Sequence, residues 1–219
     1  MLLLALLALA APDPANFSAR VTNTWFPLRP GSVYVYRGVK DGQPSRDVMT
    51  VTGATKTIRG APCRAVRDRL YLRGRLEERT TDWYSQDKQG NVWYFGEATA
   101  ELDRHGHVKS TEGTWQAGRD GAVAGIFFPA RPKVGKSGRQ EYYKGHAEDH
   151  YRVVRLRTSV KVQYLSSKSA LLTQEWTPLE PGVLDHKFYV RGIGTVLEQS
   201  VKGPNERNAL VSFRRARAG

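Results

Sequence analysis

Short runs of alternating apolar and polar residues, each closed by a glycine-containing turn, constrain the fold of this chain more than any other feature of its sequence. Residues 32–37 (SVYVYR) and 47–52 (DVMTVT) are β-branched and aromatic runs on either side of Asp41-Gly42. The arrangement continues through Arg73-Gly74 and His105-Gly106. Strands joined by such tight turns pair as antiparallel hairpins, because parallel neighbours need crossovers of about a dozen residues. The pattern predicts an antiparallel meander.

The second half of the chain repeats this pattern and sets the fold class. We predict an all-β protein, with one domain over residues 12–219 built from about ten antiparallel strands. The strands would form a strongly curved sheet, a half-barrel or a barrel. Closure removes exposed sheet edges, which favours a barrel. Residues 113–138 contain six glycines around the apolar residues 126–130 and are predicted to form a long glycine-rich loop with at most a short strand.

The first eleven residues are a leucine-rich apolar run that ends in Ala8-Leu9-Ala10. The run is shorter than the roughly 20 apolar residues that span a bilayer, and it ends in a small-x-small cleavage pattern. We predict that residues 1–11 are a secretory signal peptide, that the protein is secreted or periplasmic, and that it has no transmembrane segment. The lone cysteine, Cys63, cannot form an internal disulfide and is predicted to be a small buried hydrophobe rather than a reactive thiolate.

The chain is strongly basic, with 34 Lys and Arg against 21 Asp and Glu and a net charge of +13. A field of this sign attracts anions, so an anionic cell-envelope polymer is a candidate partner. The basic residues are dispersed and match no nucleic-acid-binding module. This pattern favours a solvated basic surface and disfavours nucleic acid as a partner.

Four segments resemble motifs of a family of uncharacterised exported bacterial β-rich proteins. They are residues 26–36 (FPLRPGSVYVY), 82–87 (DWYSQD), 90–97 (GNVWYFGE) and 187–196 (KFYVRGIGTV). The resemblance covers most of the chain, from residue 25 to residue 196. It implies an exported β-rich protein with no established activity, and it therefore assigns no catalytic residue.

The hairpin over residues 82–97 is the first candidate site. Strict alternation places Asp82 and Tyr84 on one face of its first strand, and Trp93 and Glu97 on one face of its second. Aromatic rings with a few polar groups are typical of a ligand cavity. The alternative is that these rings fill the core of the barrel.

Residues 140–150 form the second candidate segment, with Glu141, His146 and Glu148 as predicted ligand-binding residues. Residues four apart in a strand are separated by about 13 Å, so His146 and His150 cannot chelate one ion and no metal is predicted. We expect this segment and the hairpin to form one concave site beside the glycine-rich loop. The alternative is that each carboxylate pairs with one of the basic residues.

Three functions fit these residues. The first is an exported β-barrel-like protein that binds a small apolar, aromatic or anionic ligand. The second is a carboxylate-dependent extracytoplasmic enzyme of hydrolase, lyase or isomerase type. It would use Glu97, Glu141 or Glu148 together with His146 or Tyr142, and it requires these groups to converge. The third is a cell-envelope protein that binds anionic polymers. The sequence contains no nucleophile elbow, phosphate-binding loop or dinucleotide fingerprint, so no cofactor is predicted.

Overall fold

The computed structural model describes residues 13–216, so the predicted signal peptide over residues 1–11 lies outside the described residues. Within that range, a 3-10 turn at Pro14–Asn16 precedes sixteen strands. The strands are β1 (Phe17–Ser18), β2 (Val33–Lys40), β3 (Gln43–Ile58), β4 (Ala61–Leu72), β5 (Arg75–Asp87), β6 (Val92–Leu102), β7 (Val108–Ser110), β8 (Trp115–Gln116), β9 (Val123–Phe128), β10 (Ser137–Arg139), β11 (Glu141–Tyr142), β12 (His150–Lys161), β13 (Ser166–Trp176), β14 (Leu184–Val190), β15 (Gly194–Lys202) and β16 (Arg207–Arg214). No helix in the described part is long and apolar enough to cross a membrane.

All strand pairs are antiparallel. Ten of the described strands have seven or more residues, and the other six have two to six. The ten long strands confirm the all-β fold class and the predicted strand number. The short strands extend or close the sheet that the long ones build.

The sheet curves until its two edges meet at one short segment. Its strand order is β10-β12-β13-β14-β15-β16-β2-β3-β4-β5-β6-β9-β11. The strands at the two ends of this order, β10 and β11, are separated in sequence only by Gln140. β10 pairs with β12, and β11 pairs with β9. The chain over residues 137–142 therefore joins both edges, and the sheet is nearly closed into a barrel.

Three tight turns of the meander share one backbone conformation. At Asp41-Gly42, Arg59-Gly60 and Arg73-Gly74 the first residue has φ of 51, 51 and 50°, and the glycine has φ of 68, 79 and 81°. Two successive positive φ values define a type I′ turn, whose twist matches that of the strands it connects. The turns at Asp41-Gly42 and Arg73-Gly74 are confirmed. Arg59-Gly60 forms a third hairpin turn, which was not predicted.

Part of the predicted glycine-rich loop belongs to the barrel wall. β8 pairs with β6, and β9 pairs with both β6 and β11. The apolar residues that mark this stretch explain the placement, since Phe128 is 1% exposed and packs against Tyr189 in the interior. The connecting segment after β9, residues 129–136, remains a loop.

Gly125 lies where the closing segment crosses β9. A Cβ atom added there would be 2.5 Å from the carbonyl oxygens of both Arg139 and Gln140. Because backbone atoms would have to move, we expect Gly125→Ala to lower the free energy of unfolding by about 2–3 kcal/mol. Denaturant unfolding measures this change. Gly53→Ala is the matched control, because a Cβ there meets nothing within 4 Å; equal stability of the two variants would contradict a tight closure.

The barrel interior is apolar over much of its length. Its largest fully buried side chains include Tyr34, Val51, Val66, Phe128 and Tyr189. Cys63 in β4 is 0% exposed, and burial raises the pKa of its thiol to about 12. This confirms the prediction that Cys63 is a buried hydrophobe, because a protonated thiol is a poor nucleophile.

Candidate functional site

The strand register carries a row of acidic side chains around the inside of the barrel. Directly opposed residues share a face of the sheet. Val51 and Val66 oppose each other and are almost fully buried, so they mark the interior face. Asp82 opposes Val66, and Glu97 opposes Asp82, so both carboxylates lie on that face. We call eight acidic residues of this inner wall the acidic belt: Asp47, Asp68, Glu78, Asp82, Glu97, Glu141, Glu175 and Glu198.

Asp82, Glu97 and Glu141 form the inner part of the belt. The Tyr94 hydroxyl donates a hydrogen bond to Asp82 Oδ1 at 2.6 Å, and Thr99 Oγ1 donates to Glu97 Oε2 at 3.1 Å. Glu141 is 6% exposed, and its Oε2 atom has no hydrogen-bond partner among the described residues. The Trp115 indole is close enough to lower the pKa of Glu141, but its Nε1 atom makes no well-formed hydrogen bond.

Burial raises the pKa of all three inner carboxyl groups into or above the neutral range. The pKa is about 7 for Asp82, about 8 for Glu97 and about 9 for Glu141. Neighbouring negative charges raise these pKa values further. Asp47 raises the pKa of Asp82, and Asp82 raises that of Glu97. Asp149 and Glu97 both raise the pKa of Glu141. Within residues 13–216, none of the three carboxylates has a basic nitrogen within 4.0 Å. The alternative of simple pairing with basic residues therefore fails for these three.

Lys187 in β14 is the one lysine that forms ion pairs inside the described belt. Its Nζ atom lies 3.0 Å from Glu175 Oε2 and 3.2 Å from Glu198 Oε1. Burial alone would lower the pKa of Lys187, but the two carboxylates raise it well above its usual value. Glu175 Oε1 also accepts hydrogen bonds from Tyr189 at 2.9 Å and Thr173 at 2.8 Å. This part of the belt is a satisfied charge network, unlike the inner three carboxyl groups.

The belt reaches solvent through a recess of about 250 Å³. Six carboxylate residues line this acidic recess: Asp47, Asp68, Glu78, Asp185, Glu198 and Glu206. Its two basic lining residues are Lys40 and Arg207, and Lys40 already pairs with Glu206 at 3.7 Å. Negative charge therefore outweighs positive charge in the recess, in a protein whose net charge is +13.

Asp47 and Asp68 face each other at the base of the recess. Burial, followed by the negative charge of Asp47, raises the pKa of Asp68 well above its usual value. The Asp47 Oδ1 atom is buried without a hydrogen-bond partner among the described residues, and Asp47 Oδ2 accepts a hydrogen bond of 3.3 Å from the Asn208 side-chain amide. Within residues 13–216, neither aspartate has a basic nitrogen within 4.0 Å.

The acidic residues are too dispersed to chelate one metal ion. Among the described residues, no group of three or more His, Cys, Asp or Glu side chains is placed to hold one. The belt instead follows the sheet across at least five strands. A row of separated carboxyl groups is suited to a ligand that carries several separated positive charges.

Four of the predicted site residues come together in the inner belt: Asp82, Tyr84, Glu97 and Glu141. Tyr84 is 7% exposed, and its ring stacks on Tyr94 with centroids 4.8 Å apart. Gly113, the first residue of the predicted loop, also lies here, since a Cβ atom added to it would be 4.0 Å from Glu97 Oε1. The proximity of the hairpin and the 140–150 segment is confirmed at Glu141.

Trp93 lies on the opposite face of β6. Its indole Nε1 donates to Asp87 Oδ2 at 2.8 Å, and its ring packs edge-on against Phe17. The cause is a β-bulge in β6. Asp82 opposes Glu97, and Tyr84 opposes Tyr94. The two pairs are two residues apart in β5 but three residues apart in β6, so β6 has one extra residue between them. Gly96, with φ of 137°, lies in that extra step. The predicted shared face of Trp93 and Glu97 is wrong, and Tyr94 takes the interior place beside Glu97.

His146 and Glu148 lie outside the acidic belt, in a turn between β11 and β12. The His146 ring is exposed and stacks on Tyr143, with centroids 4.3 Å apart. Glu148 Oε1 accepts a hydrogen bond from the Gly145 backbone N–H at 2.8 Å. Both side chains therefore stabilise the local turn.

Sequence reasoning missed several members of the site, among them Tyr94, Trp115 and Lys187. It also missed Asp47, Asp68, Glu175 and Glu198, each of which is one acidic residue in an otherwise ordinary strand. Their proximity depends on register between strands that are distant in sequence. The local pattern of each strand carries no signal for it.

Comparisons with known proteins support the fold. No family model matches the chain, and no curated protein matches it. The chain is similar to the crystal structure of a Bacteroides fragilis NCTC 9343 protein with a YmcC-like fold, described as exported, with 13% sequence identity and a TM-score of 0.50. That match covers 88% of this chain and 100% of the other. The likeness shows that this chain has a YmcC-like barrel fold.

A second solved structure, from Parabacteroides distasonis ATCC 8503, is of a protein described as a lipoprotein. It has 10% sequence identity and a TM-score of 0.41, and the match covers 88% of this chain and 99% of the other.

Proposed function

We propose that the protein is an exported barrel-like binding protein and that its acidic belt binds a small polycation. The observation that carries the proposal is the convergence of Asp82, Glu97 and Glu141 without a basic partner among the described residues. These carboxyl groups adjoin Asp47 and Glu78, which act on Asp82 and line an acidic recess open to solvent. Export is supported by the predicted signal peptide, by the resemblance to exported β-rich proteins and by the structural neighbour described as exported. Membership of that exported family is part of the same proposal.

The charge of the recess favours a cation over the other ligand classes that the sequence suggested. An anion would face six carboxylate residues and would be repelled. A purely apolar ligand would remove water from those carboxylates without compensating them, which is costly. Val39 and Leu70 also line the recess and can contact the methylene groups between the charges of a linear polyamine.

Binding of a polycation should release protons, because the inner carboxyl groups are partly protonated near neutral pH. The pKa values of about 7 for Asp82 and about 8 for Glu97 place this linkage in the neutral to mildly alkaline range. A protonated carboxyl group attracts a cation less than a carboxylate does. The affinity should therefore increase as the pH rises from about 6 to about 9.

Three compounds with flexible chains are suitable probes. Spermidine carries several positive charges, hexylamine carries one positive charge, and adipate carries two negative charges. We expect calorimetry near pH 8 to show spermidine binding about tenfold more tightly than hexylamine, and no binding of adipate. Glu78→Gln and Glu97→Gln should each weaken spermidine binding about tenfold. Glu112→Gln, which removes an exposed carboxylate outside the belt, should leave it unchanged. The proposal would be overturned if adipate bound as tightly as spermidine, or if the affinity for spermidine fell as the pH rose.

An enzyme is the second candidate, because Glu97 and Glu141 converge and burial raises the pKa of both carboxyl groups above the neutral range. When one member of such a pair loses its proton, the carboxylate can act as a base while its protonated neighbour acts as an acid. Hydrolysis of p-nitrophenyl glycosides or esters would favour this function if Glu97→Gln and Glu141→Gln each abolished it. Residual turnover in both variants would remove it.

A further inference from the structure

The end of the molecule near residues 20–30 carries a surface of opposite character, made of two adjacent depressions of about 680 and 600 Å³. The first is lined by Arg20, Arg29, Arg64 and Arg215. The second is lined by Arg131, Arg157 and Arg191. Both depressions include Thr24, and the Gly192 backbone N–H donates to the Thr24 carbonyl at 2.7 Å, so this contact forms the ridge between them. We call the two depressions together the arginine trough.

In the part of the chain that the structure describes, no acidic residue lines either depression. Within residues 13–216, none of the seven arginines has a carboxylate oxygen within 4.0 Å. Clustered like charges repel one another and destabilise the folded chain unless a counterion or ligand compensates them. Seven unpaired guanidinium groups around two connected depressions therefore indicate an anion-binding surface rather than a generally solvated basic face.

Several of these guanidinium groups are held in place by the barrel itself. Arg64 Nε donates to the Ala19 carbonyl at 3.2 Å, and its Nη1 donates to the Gly53 carbonyl at 2.8 Å. Arg215 Nη2 donates to the Gly192 carbonyl at 2.9 Å. The Arg191 guanidinium lies over the Trp25 ring, 4.4 Å from its centroid. Groups fixed before binding lose less conformational entropy when a ligand arrives.

We infer that the arginine trough binds an extended phosphate-bearing polyanion, with successive phosphate groups in the two depressions. Arginine matches phosphate in geometry, because its planar fork donates two parallel hydrogen bonds to two phosphate oxygens. A single small anion would neutralise one depression and leave the other unpaired. A chain of linked phosphates can cross the Thr24 ridge and compensate both.

Short-chain inorganic polyphosphate is the probe, with inorganic phosphate and polyglutamate of similar length for comparison. In the full-length protein, Arg191→Gln/Arg215→Gln places one substitution in each depression, and we expect it to weaken polyphosphate binding about tenfold or more. The slope of log affinity against log salt concentration should decrease in magnitude by about two, because each substitution removes one phosphate contact. Inorganic phosphate should bind much more weakly than polyphosphate in the wild-type protein.

Arg37→Gln/Arg152→Gln is the matched control, because it removes the same charge from exposed strand positions outside the trough. We expect this control to change polyphosphate affinity by less than about threefold. Equal losses in the two double variants would show that only net charge matters and would overturn the assignment to the trough. Equal or tighter binding of polyglutamate would overturn the assignment to phosphate. Unchanged spermidine binding and thermal unfolding in the trough variant would establish that it is folded.

Discussion

Lys187→Met is expected to lower the free energy of unfolding by about 3 kcal/mol near pH 8, one of the largest effects of any single substitution in the barrel. Lys187 Nζ contacts Glu175 at 3.0 Å and Glu198 at 3.2 Å, and the Glu175 side chain is only 7% exposed. Removal of one partner from a buried ion pair typically costs about 3–5 kcal/mol, because the remaining charge is left without compensation. The Glu198 side chain is 37% exposed, so water compensates part of its loss and the lower end of this range applies.

Urea denaturation near pH 8 and near pH 5 tests this expectation. Partial burial already raises the pKa of Glu198, and loss of the lysine charge should raise it further. The variant should therefore regain stability as Glu198 takes up a proton at low pH. Lys109→Met is the matched control, because Lys109 pairs with Glu101 at 3.6 Å but both side chains are well exposed. Such surface pairs contribute up to about 1 kcal/mol. Similar losses in the two variants would contradict a buried charge network at Lys187.

Much of the fold follows from local sequence. The alternating runs and the glycine turns at Asp41-Gly42 and Arg73-Gly74 define antiparallel hairpins without any tertiary information. Arg59-Gly60 is the same dipeptide as Arg73-Gly74 and forms the same type of turn, so the local signal was present there as well although the turn was not predicted. The prediction for residues 113–138 was a loop with at most a short strand, so it did not assign β9 to the barrel wall. The single glycine of β9, Gly125, is required for the close approach of the closing segment. A long-range contact determines that residue, so no local pattern could reveal it.

The candidate site was only partly predictable, for two physical reasons. The bulge at Gly96 shifts the alternation of β6 by one residue, which moves Tyr94 to the interior and Trp93 to the other face. An error of one residue in a strand reverses every side chain beyond it. The acidic belt also depends on register among at least five strands. In the sequence its members are single carboxylates among many basic residues, and only the closed sheet brings them together.

The acidic belt should make the protein less stable at alkaline pH than at mildly acidic pH. An ordinary glutamate titrates near 4.5, but in the folded barrel the pKa is about 8 for Glu97 and about 9 for Glu141. Between these limits the folded state binds more protons than the unfolded state, so the stabilisation present below about pH 4.5 is lost as the pH rises to about 9. One pKa unit corresponds to about 1.4 kcal/mol. A shift of even two units in a single group therefore predicts a loss of about 3 kcal/mol between pH 5 and pH 9.

Glu141→Gln isolates one large contribution to this loss. Glutamine keeps the shape of the protonated side chain, so the variant should match the wild-type protein near pH 5. Near pH 9 it should be more stable by about 2 kcal/mol, because no charge forms in a site that is 6% exposed. Urea unfolding at the two pH values measures the difference. The control variant Glu112→Gln should have the same free energy of unfolding as the wild-type protein at both pH values.

Two results would show that other groups compensate the charges of the belt: a wild-type stability that rises from pH 5 to pH 9, or a Glu141→Gln variant that is less stable than the wild-type protein at pH 9. Either result would remove the main support for polycation binding, since a carboxylate already compensated by the protein has little charge left to offer a ligand.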